Sequence, residues 1–127
     1  MKDMKQSSME VFQTFGQGLM SGTDSWKKVV AADVSFIGPV DQTEGIDAFA
    51  KLNETFMPIM KGLDMKQAVE AGQFVITQVV INIELPSGQK LNLDMTEWYE
   101  IKEGKIQSIK VYYDAEEYRK AVVGTYI

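Results

Sequence analysis

Near the start of the chain, apolar residues recur at helical spacing, with Val11, Phe12, Phe15 and Leu19 falling on one face. Ahead of them Ser7-Ser8-Met9-Glu10 has the form of a capping box, in which the Ser7 hydroxyl takes a first-turn amide and Glu10 reaches back to the cap. A helix is therefore predicted from here to about Gly22. Asp24 is placed to cap a second, short helix with Trp26, Val29 and Val30 on a common face. Asp33 opens an extended run, Val34-Ser35-Phe36-Ile37, which Gly38-Pro39 stops. The polar loop from Val40 to Gly45 leads to a third helix striped by Ile46, Phe49, Leu52 and Phe56, with Thr43 at its cap and Glu44 in its first turn. Pro58 ends or kinks this helix, and Gly62 lets the chain leave it.

From there the period drops to two. Strands are predicted over 63–71, 74–85, 91–101 and 106–113, joined in part by turns at Pro86-Ser87-Gly88 and Glu103-Gly104-Lys105, which makes an antiparallel meander. Asp114-Ala115-Glu116-Glu117 is a second capping-box candidate and starts a short helix through Tyr118 and Val122. Helices on one side of an antiparallel sheet define an α+β layer, here with three N-terminal helices closing one face of a curved sheet. With 127 residues and no repeat, linker or low-complexity tract, residues 1–127 are expected to form one domain.

Composition mainly removes options. A net charge of −5 offers no electrostatic footprint for phosphate backbones or anionic lipid, so neither nucleic acid nor membrane is expected as a partner. Met1-Lys2-Asp3-Met4-Lys5-Gln6 is charged and precedes no continuous apolar run; it reads as neither signal peptide nor membrane span, and a cytoplasmic location is expected by default. The chain has no cysteine, which excludes disulfides and thiolate chemistry. It also has no histidine, which removes the usual general base and the commonest metal ligand. No acidic spacing resembles a calcium loop, and neither metal nor cofactor is expected.

The strand pattern selects one residue for attention. If Glu97 points inward, alternation puts Leu93, Met95, Tyr99 and Ile101 on the same face, and a carboxyl among apolar neighbours is driven toward its neutral, hydrogen-bond-donating form. The competing reading is a rim carboxylate paired with a lysine. Asp41 lies in the polar loop and is either a base at a pocket mouth or ordinary turn chemistry. The position of Asp114 in Asp-Ala-Glu-Glu favours the N-cap of the last helix over a chemical role. Tyr99, Tyr112 and Tyr113 suit a pocket wall or plain packing, and Met57, Met60, Met65 and Met95 are adaptable filler that would also line a tolerant pocket. The strand over 74–85 is apolar on both faces, as a strand covered on both sides would be. Trp98, opposite in parity to Glu97, is then a candidate for an interface on the outer face.

The segments AADVSFIGPV…EGIDAFAKL and WYEIKEGKIQSIKVYYD resemble the nuclear transport factor 2-like superfamily, in particular its SnoaL-like polyketide cyclase and ketosteroid isomerase branch, over nearly the whole chain. The resemblance implies a cone-shaped sheet of the cystatin-like roll type, a ligand pocket between its concave face and the helices, and a homodimer formed through the outer sheet face. The pocket is expected to draw on Phe15, Phe36, Gly38, Phe56, Met95, Tyr99 and Tyr113. Carried over without gaps, the isomerase's oxyanion tyrosine falls on Phe15 and its general-base aspartate on Gly38. Only the strand carboxylic acid survives, as Glu97. Ketosteroid isomerase activity is therefore not expected, and histidine-assisted cyclase chemistry is excluded. Two readings remain. One is a cofactor-independent isomerase, cyclase or hydrolase type of enzyme acting on a small hydrophobic carbonyl compound through Glu97, with Asp41 or Asp114 as base. The other is a non-catalytic ligand-binding or dimeric interaction domain of the same fold.

Overall fold

The computed structural model describes the backbone of residues 7–126 and the side chains of residues 7–121. Met1 to Gln6, and the Val122 side chain expected on the last helix, lie outside the described residues. Helix α1 (Ser8–Met20) begins with the capping box: the Glu10 amide donates to Ser7 Oγ at 3.1 Å and the Ser7 amide to Glu10 Oε1 at 2.9 Å. A 3-10 helix (Asp24–Val29) follows, capped by the Thr23 hydroxyl rather than by Asp24, which sits in its first turn. Val30 is not on that helix but begins strand β1 (Val30–Ile37). Strand β2 (Gln42–Glu44) doubles back on β1. Thr43 and Glu44 are thus strand residues, and helix α2 (Ile46–Phe56) starts at Gly45, whose φ of 92° needs no side chain. Met57–Ile59, containing Pro58, tightens into one 3-10 turn, after which β3 (Met60–Ala71), β4 (Phe74–Glu84), β5 (Lys90–Lys102), β6 (Lys105–Tyr112) and helix α3 (Glu116–Tyr126) complete the order.

The six strands form one curved sheet in the order β2-β1-β6-β5-β4-β3. Every joint is antiparallel except β1–β6, which is parallel and pairs Phe36 with Ile109. Gly62 lies inside β3 rather than at a helix exit, at a bulge where a Cβ would meet Asn82 Oδ1 at 2.8 Å.

Alternation along the two central strands decides what is inside. Val75, Thr77, Val79, Ile81 and Ile83 of β4 are buried on the concave face, together with Leu91, Leu93, Met95, Tyr99 and Ile101 of β5. The intervening residues, among them Phe74, Ile76, Val80 and Trp98, lie on the convex face.

Three aromatic rings hold the helices over the concave face: Phe15 of α1, Trp26 of the 3-10 helix and Phe49 of α2. Their centroids lie 5.7 to 6.2 Å apart, two contacts edge-on and one stacked. The approach of α1 to the 3-10 helix is closest at Gly18, where a Cβ would meet Ser25 Oγ and the Trp26 backbone nitrogen at 2.7 Å. Gly16, one residue pair earlier, faces open space.

These two glycines provide a matched test. Gly16→Ala should gain up to about 1 kcal/mol from helix propensity. Gly18→Ala should instead lose about 1–3 kcal/mol, because the propensity gain is outweighed by forcing α1 away from Trp26. Urea unfolding of the two variants beside the wild type checks this, with opposite signs expected.

Candidate functional site

The space between helices and sheet is a cavity of about 470 Å³, within the range of small-molecule sites. Its walls include Phe15, Phe36, Gly38, Phe56, Met95, Tyr99 and Tyr113, and both Glu97 and Asp41 border it. Asp114 does not. It is exposed, and its Oδ1 accepts the Glu116 amide at 3.1 Å, the contact of a helix start.

Glu97 is the polar centre of the concave face. Strand pairing sets it between Thr77 of β4 and Val111 of β6, with Tyr99 two residues along on the same side. The Thr77 hydroxyl donates to Glu97 Oε1 at 2.9 Å, and the Tyr99 hydroxyl donates to the same oxygen at 3.0 Å. Oε2 takes no hydrogen bond from any described residue, yet it is not sealed in, because Glu97 keeps some accessible surface where it borders the cavity. Two donors thus converge on one oxygen and leave the other without a donor among the described residues.

The electrostatics follow from this placement. Burial pushes the Glu97 pKa up, and the hydrogen bonds from Thr77 and Tyr99 offset only part of that rise. Burial, then the adjacent Glu97 charge and hydrogen bond, pushes the Tyr99 hydroxyl well up, so it stays a donor. Tyr99 is wedged in place by rings of α1, with Phe12 at 4.9 Å and Phe15 at 6.0 Å.

A second polar edge lies where β1 ends. The Gly38 amide donates to the Asp41 carbonyl at 2.9 Å, which folds the loop so that Asp41 is half-buried at the cavity, and burial raises its carboxyl pKa. Arg119 of α3 donates to the Pro39 carbonyl at 2.9 Å and fixes this loop from outside. Tyr113 is also pushed up, by burial first, then by its neighbours Tyr118 and Asp41, against the opposing Arg119. Gly38 itself has no crowding that demands glycine, since a Cβ there would meet its nearest neighbours at 3.6 Å.

Thr77 was not visible as a site residue in sequence, although one signal existed: it is the single polar side chain on the inward parity of β4, level with Glu97. Other residues of the wall, including Phe12, Leu19, Met20 and Asn53, follow from helical faces whose depth over the sheet no spacing reveals. Among the described residues no group of three or more His, Cys, Asp or Glu side chains could hold a metal ion. No helix among them is long and apolar enough to cross a membrane.

The SnoaL-like domain family model matches residues 10–109, and the chain belongs to that family. An NTF2-like protein from Burkholderia xenovorans superposes with a TM-score of 0.80 at 19% identity, over 92% of this chain and 96% of its own. A provisionally named SnoaL-like polyketide cyclase from Jannaschia sp. CCS1 gives 0.76 at 14% identity, over 92% of each chain. TerC, co-crystallised with polyporic acid, gives 0.75 at 13% identity, over 89% of this chain and 95% of its own. At these identities the likeness is one of fold. Among curated protein sequences none matches the chain.

Because the folded-state pKa of Glu97 is raised above its unfolded value near 4.5, the native chain keeps this proton to higher pH than the unfolded chain does. Its contribution is neutral below that value and turns destabilising as pH rises through the window up to the folded pKa. Glu97→Gln cannot ionise, so the stability difference between variant and wild type should shift in the variant's favour from acidic to mildly alkaline pH. Urea titrations across that range check the direction; a difference constant with pH would mean an ordinary exposed carboxylate.

Proposed function

We propose that the protein binds a neutral, largely apolar, carbonyl-bearing small molecule in this cavity and that Glu97 donates a hydrogen bond, or a proton, from Oε2 to the carbonyl oxygen. The observation that carries this reading is the convergence of Thr77 and Tyr99 on Oε1. With that oxygen occupied as an acceptor, a protonated Glu97 carries its hydrogen on Oε2, on the carboxyl that borders the cavity. The apolar walls disfavour the ionised form and strengthen the resulting hydrogen bond.

In this reading the chemistry is isomerase- or cyclase-like. Polarising the carbonyl acidifies the neighbouring carbon, and a carboxylate can then take its proton. Asp41 is the proposed acceptor because it is the other carboxyl bordering the cavity, on the loop after β1. Tyr113 and Tyr99 would orient the ligand. Asp114, engaged at the start of α3, is not given a role.

Binding without turnover is the second reading. What favours it is the absence of any carboxyl at Gly38, where the isomerases that this chain resembles carry their base, although a Cβ there would meet only ordinary contacts. A deuterium-exchange assay separates the two. With cyclododecanone in heavy water, the wild type should speed exchange at the carbons next to the carbonyl, and Glu97→Gln should lose about 100-fold or more of that effect, in the usual range for a general acid. The glutamine can still donate a hydrogen bond, so ketone affinity by calorimetry should change far less. Ketone binding without exchange in the wild type would leave a binding protein; no binding at all would remove the reading.

The proposed assembly is a homodimer of single-domain chains through the convex face. Its support is a row across neighbouring strands, in which Val69 pairs with Ile76 and Ile76 with Trp98, while Tyr112 lies beside Thr96. Trp98 and Tyr112 are 40% and 58% exposed, large for aromatic side chains on a sheet. Sedimentation should give a dimer for the wild type and a folded monomer for Trp98→Asp.

A further inference from the structure

The helices do not cover the whole concave face. On edge strand β3, Leu63 and Met65 have the inward parity, opposite Ile81 and Val79, but whereas those partners are buried, Leu63 and Met65 are 43% and 40% exposed. Met20, at the far end of α1, is 54% exposed. All three belong to the wall of the same cavity. The start of α1 is tied to the β3–β4 turn, where Ser8 donates to the Gly72 carbonyl and the Met9 amide to Glu70. Among the described residues no such hydrogen bond ties the end of α1 to the sheet.

The same cavity therefore reaches from Glu97 to these exposed apolar side chains at the sheet edge, with Gln13, Gln17 and Asn53 among its otherwise largely apolar wall. A compact ligand confined beside Glu97 would leave three large apolar side chains in water. A ligand with a tail would cover them. Asp64 and Lys66 pair with each other at 2.7 Å and do not belong to the cavity wall, whose charged residues are Asp41 and Glu97, so no wall residue at the outer end calls for a charged group. Met20, Met57, Met60, Met65 and Met95 all line the cavity, and unbranched thioethers adapt to a chain with many conformers better than to one rigid outline.

We infer that the ligand is an amphiphile with a neutral carbonyl head at Glu97 and a long unbranched alkyl tail that leaves the cavity over Leu63 and Met65, past Met20. This rests on the carbonyl-binding reading above and narrows it from apolar carbonyl compounds in general to long-chain ketones or esters.

Calorimetry with straight-chain methyl ketones, from hexyl to hexadecyl chain length, tests it on the intact protein. Each methylene that becomes buried should tighten binding about fourfold, and the rise should continue to chains too long for the enclosed part of the cavity. The exposed double variant Leu63→Ser/Met65→Ser should flatten the rise at the long end of the series. Glu97→Ala should weaken every member by a similar factor. If ketones bind but affinity levels off at short chains and the double variant follows the wild type, the tail is overturned while the carbonyl-binding reading stands. If no ketone binds, both fall. If the double variant lowers the oligomeric mass in native mass spectrometry, with no change along the ketone series, this sheet edge is a protein contact and the inference is wrong.

Discussion

The interlocked rings of Phe15, Trp26 and Phe49 keep the helical layer at a fixed distance from the sheet, and the cavity exists because of that distance. Each ring comes from a different element, so the three cannot collapse onto the sheet independently. The sheet bends away beneath them, and small relatives of these side chains would let the helices sink into the hollow. Gly18 works in the same direction: by letting α1 touch the Trp26 backbone, it locks the two helical segments into one rigid cover. Edge strand β3 lies beyond that cover, which is why residues with core parity there remain open to water.

Within the hollow the decisive competition is between desolvation and hydrogen bonding at one carboxyl. An isolated carboxylate in such surroundings would be driven to its neutral form, whereas several donors would hold it ionised. Thr77 and Tyr99 supply two donors but aim both at a single oxygen, and burial still wins. The arrangement fixes the orientation of the group without forcing its charge. A third donor on Oε2 would have made Glu97 a satisfied structural carboxylate; its absence among the described residues leaves the group available to whatever enters.

Much of the architecture was legible in sequence because it rests on local periodicity. The capping box at Ser7, the parity that Glu97 shares with Leu93, Met95 and Tyr99, and the breaks at Gly38-Pro39 and Pro58 are all decided within a few residues of chain, whereas which side of the sheet that parity faces is not. What escaped depends on distant partners. The parallel joint of β1 to β6 has no local signature, and Thr43, a hydroxyl residue just ahead of a helix, has the local form of a cap; pairing with β1 overrides that preference. The same limit applies to the site. Thr77 and Glu97 stand opposite each other only through the register of β4 against β5, and the exposure of Leu63 depends on where a helix stops covering the sheet.

Family membership adds less to chemistry than to shape. The fold supplies a concave sheet face with helices above it, and this shape is what the chain shares with structures at a fifth of its sequence or less. The reacting groups are placed by features the fold does not require. Gly38 is not imposed by backbone conformation, and a Cβ there would meet only ordinary contacts, yet the chain carries no side chain at this point. Asp41, three residues on, reaches the cavity only because the loop closes through the Gly38 amide and is held by Arg119 from the last helix. A base at that point would approach a ligand from the loop rather than from the end of the strand. Under the proposed reading, proton transfer would therefore run between the loop carboxyl of Asp41 and the strand carboxyl of Glu97, two groups that different elements bring to one cavity.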